Sequence, residues 1–214
     1  MNLIDTTIVF VKEKLKGAEA GHDWFHIERV YKNALLIAKG ENCDLEVVKL
    51  GALLHDIADS KFNDGDETVG PKVAREFLES QNASQEIISH VINIIENISF
   101  KGGNFEKKFS SKELEIVQDA DRLDAIGAIG IARTFNYGGF KNRQMYNPEI
   151  LPKLAMSKEE YKNNEAPTIN HFYEKLLLLK DKMNTETGKK IAEERHHFME
   201  LFLSQFYAEW NGEK

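Results

Sequence analysis

The sequence has little cysteine, few prolines and no long hydrophobic run. Cys43 is the one cysteine among 214 residues, which excludes an internal disulfide. The apolar runs fall far short of the about 20 residues that a membrane-spanning helix needs. The first residues also lack the charged-then-apolar pattern of a signal peptide. We therefore expect a protein of the cytoplasm without a membrane partner.

The sequence also has fewer positively than negatively charged residues. The chain has 28 Lys and Arg against 35 Asp and Glu, which gives a net charge of -7. Proteins that bind a nucleic acid polymer carry basic surfaces because they neutralise backbone phosphates, so this balance argues against that class. A small phosphorylated substrate is compatible with it, since such a substrate needs only a local group of cations. The hydrophobic content of 42%, with 13 Phe, is sufficient for a buried core.

Most of the chain shows the spacing of amphipathic helices. Apolar residues recur at helical intervals, and no clean alternation of apolar and polar residues appears. The pattern predicts an all-α fold, and the length favours one domain over 1–214. The predicted helices lie at roughly 3–16, 24–39, 45–57, 71–80, 85–98, 112–123, 125–136, 169–183 and 186–210.

Residues 137–167 differ from the rest of the chain. Three of the four prolines fall in this segment, which also contains Gly138 and Gly139. Such a segment cannot form one continuous helix, and loops of this length in folded domains are usually functional or mobile. We expect a loop at the mouth of an active site, between a core at about 20–135 and C-terminal helices at 168–211 that pack on it.

The last predicted helix carries a regular aromatic series. Its members recur at every fourth position and are Phe198, Phe202, Phe206 and Trp210. Residues four apart share one face of a helix, so the series predicts either core packing or the packing of a homodimer.

A His-Asp doublet lies at the end of an apolar helical run, where Leu-Leu-His-Asp ends with His55 and Asp56. Burying an imidazole and a carboxylate together costs several kcal/mol unless they are paired or bound to a metal. A helix end whose polar residues face water would explain the doublet equally well. The doublet alone therefore leaves a structural and a metal-binding interpretation open.

A pair of histidines precedes the doublet. His22 and His26 are four residues apart, but Asp23 between them is suited to cap the next helix. A cap at Asp23 would leave His22 outside the helix and place His26 one turn inside it. A single histidine in such a position is most often a core residue with a satisfied hydrogen bond, and a metal-facing position is the alternative.

Carboxylates also occur ahead of a segment rich in glycine and alanine. Asp121 and Asp124 are three residues apart and can share a helix face. Taken alone, these acids could simply complement the positive end of a helix dipole. Taken together with the histidines and the doublet, they complete a set of two imidazoles and two carboxylates. Such a mixed nitrogen and oxygen set suits a divalent ion of the first transition row.

The three segments together resemble the HD-domain phosphohydrolase superfamily, which is named for its His-Asp doublet. The motifs that carry the resemblance are His26-x-x-Arg29-Val30, Leu53-Leu54-His55-Asp56 and Ala120-Asp121-Arg122-Leu123. Their order and separation match that superfamily. The later segments are similar to a small single-domain bacterial branch that has been linked to nucleoside triphosphate pyrophosphohydrolysis. These segments are Asn136-Tyr-Gly-Gly, His171-Phe-Tyr-Glu-Lys-Leu and Arg195.

The resemblance implies a helical bundle of the HD type with an additional C-terminal helical part. It also implies one divalent metal ion, which would be manganese, nickel, iron or cobalt, with magnesium as a substitute in vitro. The implied ligands are His26, His55, Asp56 and Asp121. A bound ion of this kind activates water for attack on phosphorus. The implied reaction converts a nucleoside triphosphate to a monophosphate and pyrophosphate.

Further residues are candidates for catalysis and for binding a small phosphorylated nucleotide. Asp59 takes the position at which related nucleotide hydrolases carry an acidic catalytic residue, and Lys61 could neutralise a phosphate. The candidate substrate-binding residues are His22, Lys101, Arg122, Asp124, Arg143, His171 and Lys175. A solvated or internally paired side chain is the alternative for these polar residues.

Other functions are compatible with parts of the pattern. The nearest alternative is hydrolysis of a nucleotide phosphomonoester. An HD-type di-iron oxygenase would require His90 and another histidine as additional ligands. A nucleotide-binding module without catalysis would not need a complete set of four ligands. Cleavage of cyclic dinucleotides is disfavoured because the Gly-Tyr-Pro signature of that branch is absent.

Overall fold

The computed structural model describes residues 2–18, 23–58, 66, 68–98, 109–154, 156, 160 and 164–214. These residues form helices, turns and irregular segments without any strand, which confirms the prediction of an all-α fold. No helix among them is long and apolar enough to span a membrane. The chain divides into two units, Met1–Asp121 and Arg122–Lys214.

The first unit contains five helices among its described residues, and a sixth begins there and ends in the second unit. They are α1 (Leu3–Lys14), α2 (Trp24–Ala38), α3 (Leu45–Leu54), α4 (Val69–Ser80), α5 (Gln85–Asn97) and α6 (Lys112–Asp124). Side-chain caps explain several of the starts, and the cap at Asp23 was expected from the sequence. Asp23, Asp44, Ser84 and Ser111 each accept a hydrogen bond from a backbone N–H in the first turn of the helix that follows.

Helix α3 is buried over most of its length, because all its residues except Glu46 and Lys49 are apolar or small. It packs against α1, α2 and α5, and Leu50, Leu53 and Leu54 are fully buried. At Gly51 a Cβ atom would lie 3.2 Å from Ile94 Cδ1, so the missing side chain permits the close approach of α5. The His-Asp doublet follows directly after this buried helix, and its position is therefore determined by the packed core.

The second unit is also helical, but it is more often interrupted. Its elements are α7 (Gly127–Phe140), α8 (Asn170–Glu174), two 3-10 turns (Leu176–Leu178 and Lys180–Lys182) and α9 (Glu186–Trp210). Helix α9 packs against α7 and against the second 3-10 turn.

The predicted helix at 169–183 is wrong as one continuous element. The chain leaves the helical conformation at Lys175, where φ is -145° and ψ is -56°. This break lets the chain bury Leu176 and, farther on, Met183. The leucine-rich run after Lys175 fits a helix by its local pattern, but the burial of Leu176 and Met183 favours the shorter 3-10 turns.

The predicted irregular segment also begins later than expected. Helix α7 continues through Gly138 and Gly139 and ends at Phe140. At Gly138 an added Cβ would lie 2.2 Å from Thr168 Oγ1, so this glycine provides room for Thr168. Thr168 is accordingly buried against α7. The glycine pair therefore serves close packing at the end of a helix.

The aromatic series of the last helix contributes to packing within the second unit. The Phe202 ring stacks on Phe172 with ring centroids 5.8 Å apart, and it meets Phe135 edge-on at 5.9 Å. Phe206 stacks on Trp210 at 6.2 Å. Core packing thus explains Phe202, while the homodimer stays a prediction.

Two glycines of α7 provide a matched test of how closely the backbone packs around this helix. A Cβ at Gly130 would lie 2.2 Å from the Ala125 backbone oxygen, whereas a Cβ at Gly139 would meet nothing within 4 Å. We expect Gly130→Ala to lower the free energy of unfolding by about 1–3 kcal/mol, because the backbone must shift. Gly139→Ala should leave it unchanged or raise it by up to about 1 kcal/mol, through helix propensity. Urea unfolding curves measure both, and equal midpoints for the two variants would contradict the described packing.

Candidate metal centre

Two histidines and an aspartate come together in the first unit. One potential ligand atom from each of His26, His55 and Asp56 lies within 4.8 Å of those of the other two. The two imidazole rings meet edge to face, with centroids 5.4 Å apart. Both histidines are buried, whereas Asp56 is partly exposed. The cluster therefore has a buried imidazole side and a carboxylate side that solvent reaches.

Local structure explains how His26 enters this cluster. Asp23 caps α2, with its Oδ1 atom 3.0 Å from the backbone nitrogen of His26. The cap places His26 in the first turn of α2, as the sequence predicts. Ile27 and Val30 on the same helix are fully buried, and α2 packs against α3. The helix start is thus held by a cap on one side and by the core on the other.

The orientation of His55 follows from one hydrogen bond. Its Nδ1 atom lies 2.9 Å from the Ala52 carbonyl oxygen. Because a carbonyl only accepts, Nδ1 carries the proton and donates it, and Nε2 carries a lone pair. Histidines that bind metals commonly donate their other ring N–H to a carbonyl or carboxylate in this way.

The Nε2 atom of His55 provides the test of whether a metal fits here. This atom is buried and has no hydrogen-bond partner among the residues that the structure describes. Leaving a buried acceptor unsatisfied costs about 1–3 kcal/mol, and a divalent cation would satisfy it. The nitrogen and carboxylate donors around it suit a first-row divalent ion. The residues therefore fit a metal centre, as expected from the sequence.

Asp121 adjoins the cluster through His26. Its Oδ1 atom lies 3.6 Å from His26 Nε2, and its side chain is 43% exposed. Helix α6 is placed beside α2 partly by Asn33, whose Nδ2 atom lies 3.3 Å from the Ala120 carbonyl oxygen. The structure thus brings Asp121 next to the three clustered residues. That all four coordinate one ion stays a prediction.

Several candidate residues cannot be placed. Asp59, Lys61, His22 and Lys101 lie outside the described residues. Their proposed roles in catalysis and substrate binding therefore stay predictions from the sequence.

His90 is engaged in a different network. Its Nε2 atom lies 2.9 Å from Ser111 Oγ and 3.2 Å from Glu113 Oε2. The other carboxylate oxygen of Glu113 accepts a hydrogen bond from the backbone nitrogen of Asp44. Within the part of the chain that the structure describes, His90 does not belong to the metal cluster. This placement argues against the di-iron alternative, which requires His90 as a ligand.

Two candidate residues near the end of α6 form polar contacts within the second unit. Asp124 is only 2% exposed and forms an ion pair with Arg133. The Asp124 carboxylate therefore has a structural contact in the second unit, and its expected role in substrate binding stays a prediction. The Nη1 atom of Arg122 lies 2.6 Å from the Lys182 carbonyl oxygen, and a role of Arg122 in substrate binding stays a prediction.

The remaining candidates form a cationic group in the second unit. Burial, together with the positive charges of Lys175 and Arg143, lowers the pKa of His171 to about 4. His171 is therefore neutral at pH 7. Arg143 lies over the Tyr137 ring at 5.6 Å and donates a hydrogen bond to the Asn164 carbonyl. The three residues thus place two cations and a neutral imidazole near one another.

The sequence did not predict two of the contacts described above, those made by the Ala52 carbonyl and by Arg133. The Ala52 carbonyl that orients His55 has no side-chain signal, because any residue supplies a carbonyl there. Arg133 does have a signal, since it is the only charged residue between Gly127 and Phe140. A lone charge in a segment of small and apolar residues indicates a buried partner, and Asp124 is that partner.

Comparison with known proteins identifies the family. A family model described as "HD domain" matches residues 24–126. Protein YpgQ of Bacillus subtilis is 40% identical over 199 residues, which cover 92% of this chain and 88% of YpgQ. A solved structure described as an HD-superfamily hydrolase from Bacillus thuringiensis is 45% identical, with a TM-score of 0.79, and the match covers 97% of this chain and 96% of that one.

A second solved structure is that of Bacillus subtilis YpgQ in complex with ADP. Its structural match is 35% identical with a TM-score of 0.76, and it covers 96% of this chain and 97% of that one. These matches extend over nearly the whole length of each protein. The chain belongs to the HD-domain superfamily of hydrolases.

The metal centre predicts a specific loss of metal binding. Asp56→Ala and His55→Ala each remove one donor from the cluster, so we expect the dissociation constant for Mn²⁺ to rise by more than about 100-fold, beyond what partners outside the ligand set usually contribute. Isothermal titration of metal-free protein measures the constant. His90→Gln is the matched control and should bind with the wild-type constant. Wild-type affinity in Asp56→Ala would exclude this residue as a ligand.

The buried His171 predicts a pH dependence of stability. The unfolded side chain has a pKa near 6.5, while burial lowers the folded pKa to about 4. Between these values the unfolded chain binds a proton that the folded chain does not, so the free energy of unfolding falls as the pH falls. Wild-type protein should therefore lose free energy of unfolding between pH 7.5 and 5.0. We expect this loss to be smaller by about 1–2 kcal/mol in His171→Gln, allowing for partial exposure of the side chain.

Urea unfolding at the two pH values measures this difference. His197→Gln is the control, because the His197 side chain is 70% exposed. Equal losses of stability in wild-type protein and His171→Gln would show that His171 is not held neutral by its surroundings.

Proposed function

We propose that this member of the HD-domain superfamily is a metal-dependent pyrophosphohydrolase that converts a nucleoside triphosphate to a monophosphate and pyrophosphate. The observation that supports metal dependence most directly is the unpartnered lone pair of His55 Nε2, buried beside His26 and Asp56. The structure of the Bacillus subtilis relative YpgQ in complex with ADP supports a nucleotide as the substrate class.

The proposed ligands contribute different properties to this centre. His55 presents a neutral nitrogen because its other nitrogen donates to the Ala52 carbonyl. Asp56 and Asp121 supply negative charge on the side that solvent reaches, which is the side from which a substrate can approach. A divalent cation held by these residues supplies an acidified water and polarises a phosphoryl oxygen. Manganese, nickel, iron and cobalt all suit this donor set.

The leaving group distinguishes the two phosphohydrolase reactions. Pyrophosphate is a good leaving group and needs little protonation, whereas a sugar alkoxide needs a general acid. His171 is a poor acid at neutral pH, because burial and the charges of Lys175 and Arg143 lower its pKa to about 4, and the neutral imidazole gives up its remaining proton only with difficulty. Arg143 and Lys175 beside it offer positive charge that suits a polyphosphate. This balance favours cleavage of a phosphoanhydride.

The roles of Asp59 and Lys61 remain part of the proposal. Asp59 follows the doublet at the position where related hydrolases carry an acidic residue, and we propose that it assists proton transfer to or from the attacking water. Lys61 is proposed to neutralise a phosphate of the substrate. Both assignments rest on the sequence alone.

Product analysis tests the proposed reaction. With Mn²⁺ and a deoxynucleoside triphosphate, we expect equal amounts of monophosphate and pyrophosphate and no accumulation of the diphosphate. Ion-exchange chromatography with phosphorus NMR identifies these products. Asp56→Asn is the control for contaminating phosphatases, since it should release neither product. Orthophosphate released from a nucleoside monophosphate with the higher specificity constant would establish the phosphomonoesterase instead.

A further inference from the structure

The last turn of α6 is held by side chains from distant parts of the sequence. The Nη1 atom of Arg195, on α9, lies 2.5 Å from the Leu123 carbonyl oxygen. The last carbonyls of a helix have no partners within the helix, and a cation near that end is favoured by the helix dipole. Arg195 therefore supplies both a donor and a positive charge where α6 ends.

The side chain of Asp124 strengthens this arrangement. Asp124 is 2% exposed and pairs with Arg133 on α7. The negative charge of Asp124 also raises the pKa of Arg195, opposing the lowering that its burial causes. Asp124 thus lies within the electrostatic influence of two guanidinium groups. Removing either one would leave a buried carboxylate with less compensation, which is costly.

The backbone after α6 is shaped to admit Arg195. Gly127 has a φ of +74°, and a Cβ at this position would lie 3.0 Å from both Cβ and Cγ of Arg195. Only glycine adopts that conformation readily, and only glycine leaves space for the arginine stem. Both properties fit a turn that is built around the Arg195 side chain.

We propose that Arg195 is a positioning residue for the metal centre, because it holds the end of α6 and thereby orients Asp121. Asp121 lies in the same helix, two residues before Leu123 and three before Asp124. Within a hydrogen-bonded helix the rotation and rise of one residue determine those of its neighbours. Fixing Leu123 and Asp124 therefore fixes the backbone of Asp121 and the direction in which its Cα–Cβ bond leaves the helix. Arg133 supports the same turn through Asp124.

This inference rests on the metal centre of the proposed function but not on the substrate. A carboxylate whose direction is no longer fixed must be ordered when the ion binds, and that ordering lowers the affinity. Residues that orient metal ligands typically contribute roughly 10–100-fold to affinity. The predicted consequence is therefore weaker metal binding in a protein that is still folded.

The test compares Mn²⁺ binding in wild-type protein and Arg195→Met, without any nucleotide. Methionine keeps much of the apolar stem against Gly127 but removes the donor and the charge. We expect the dissociation constant, measured from the free-ion EPR signal, to rise roughly 10–100-fold, and the EPR line shape of bound Mn²⁺ to change. Arg195→Lys, which keeps the charge and one donor, should recover part of the affinity. Lys190→Met removes an exposed cation from the same helix and should bind as wild type does.

The outcomes are distinguishable. A wild-type dissociation constant in Arg195→Met overturns the positioning role and leaves the proposed function untouched. Failure of the wild-type protein to bind Mn²⁺ overturns the metal centre and this inference together. If circular dichroism shows that Arg195→Met does not fold, Asp124→Asn carries the test. It keeps the side-chain volume and should raise the constant in the same way, and unchanged binding in that variant overturns the inference.

Discussion

The hydrogen bond between His55 Nδ1 and the Ala52 carbonyl is the interaction on which the site depends. It fixes the tautomer of His55 and directs a buried lone pair towards His26 and Asp56. The carbonyl can serve this purpose because Ala52 lies near the end of α3, where the helical pattern gives way to a turn. The burial of α3 holds that carbonyl in place, so the stability of the core and the chemistry of the doublet have one structural cause.

The carboxylates of the site obey a different constraint. Asp121 belongs to a helix end that is only partly buried, and a half-exposed carboxylate has several rotamers to choose from. Nothing in its own side chain selects one of them. The contacts made by Arg195 and Arg133 just beyond it hold the backbone from which this side chain extends. On this account, the doublet is positioned by apolar packing and the last ligand by ionic and hydrogen-bonded contacts.

The sequence predicted those features that depend on local pattern. The helix start at Asp23, the apolar helical run that leads to the doublet and the inward position of His26 follow from capping residues and apolar spacing, and the structure agrees with them, although the helix predicted to 57 ends at Leu54. Features that depend on distant partners were missed. The break at Lys175 follows from the burial of Leu176, and the continuation of α7 through Gly138 follows from the position of Thr168. Arg133 has a recognisable signal, but its partner Asp124 could be identified only once the turn between them was known.

The central claim is that one divalent ion is held by the buried histidines and the partly exposed aspartates. Crystals grown with Mn²⁺, with diffraction data collected at the manganese absorption edge, test it most directly. The account predicts one anomalous peak within about 2.6 Å of His55 Nε2, with donor atoms of His26, Asp56 and Asp121 at similar distances. A peak that leaves His55 Nε2 without a metal contact, or an ion bound only elsewhere on the chain, would contradict it.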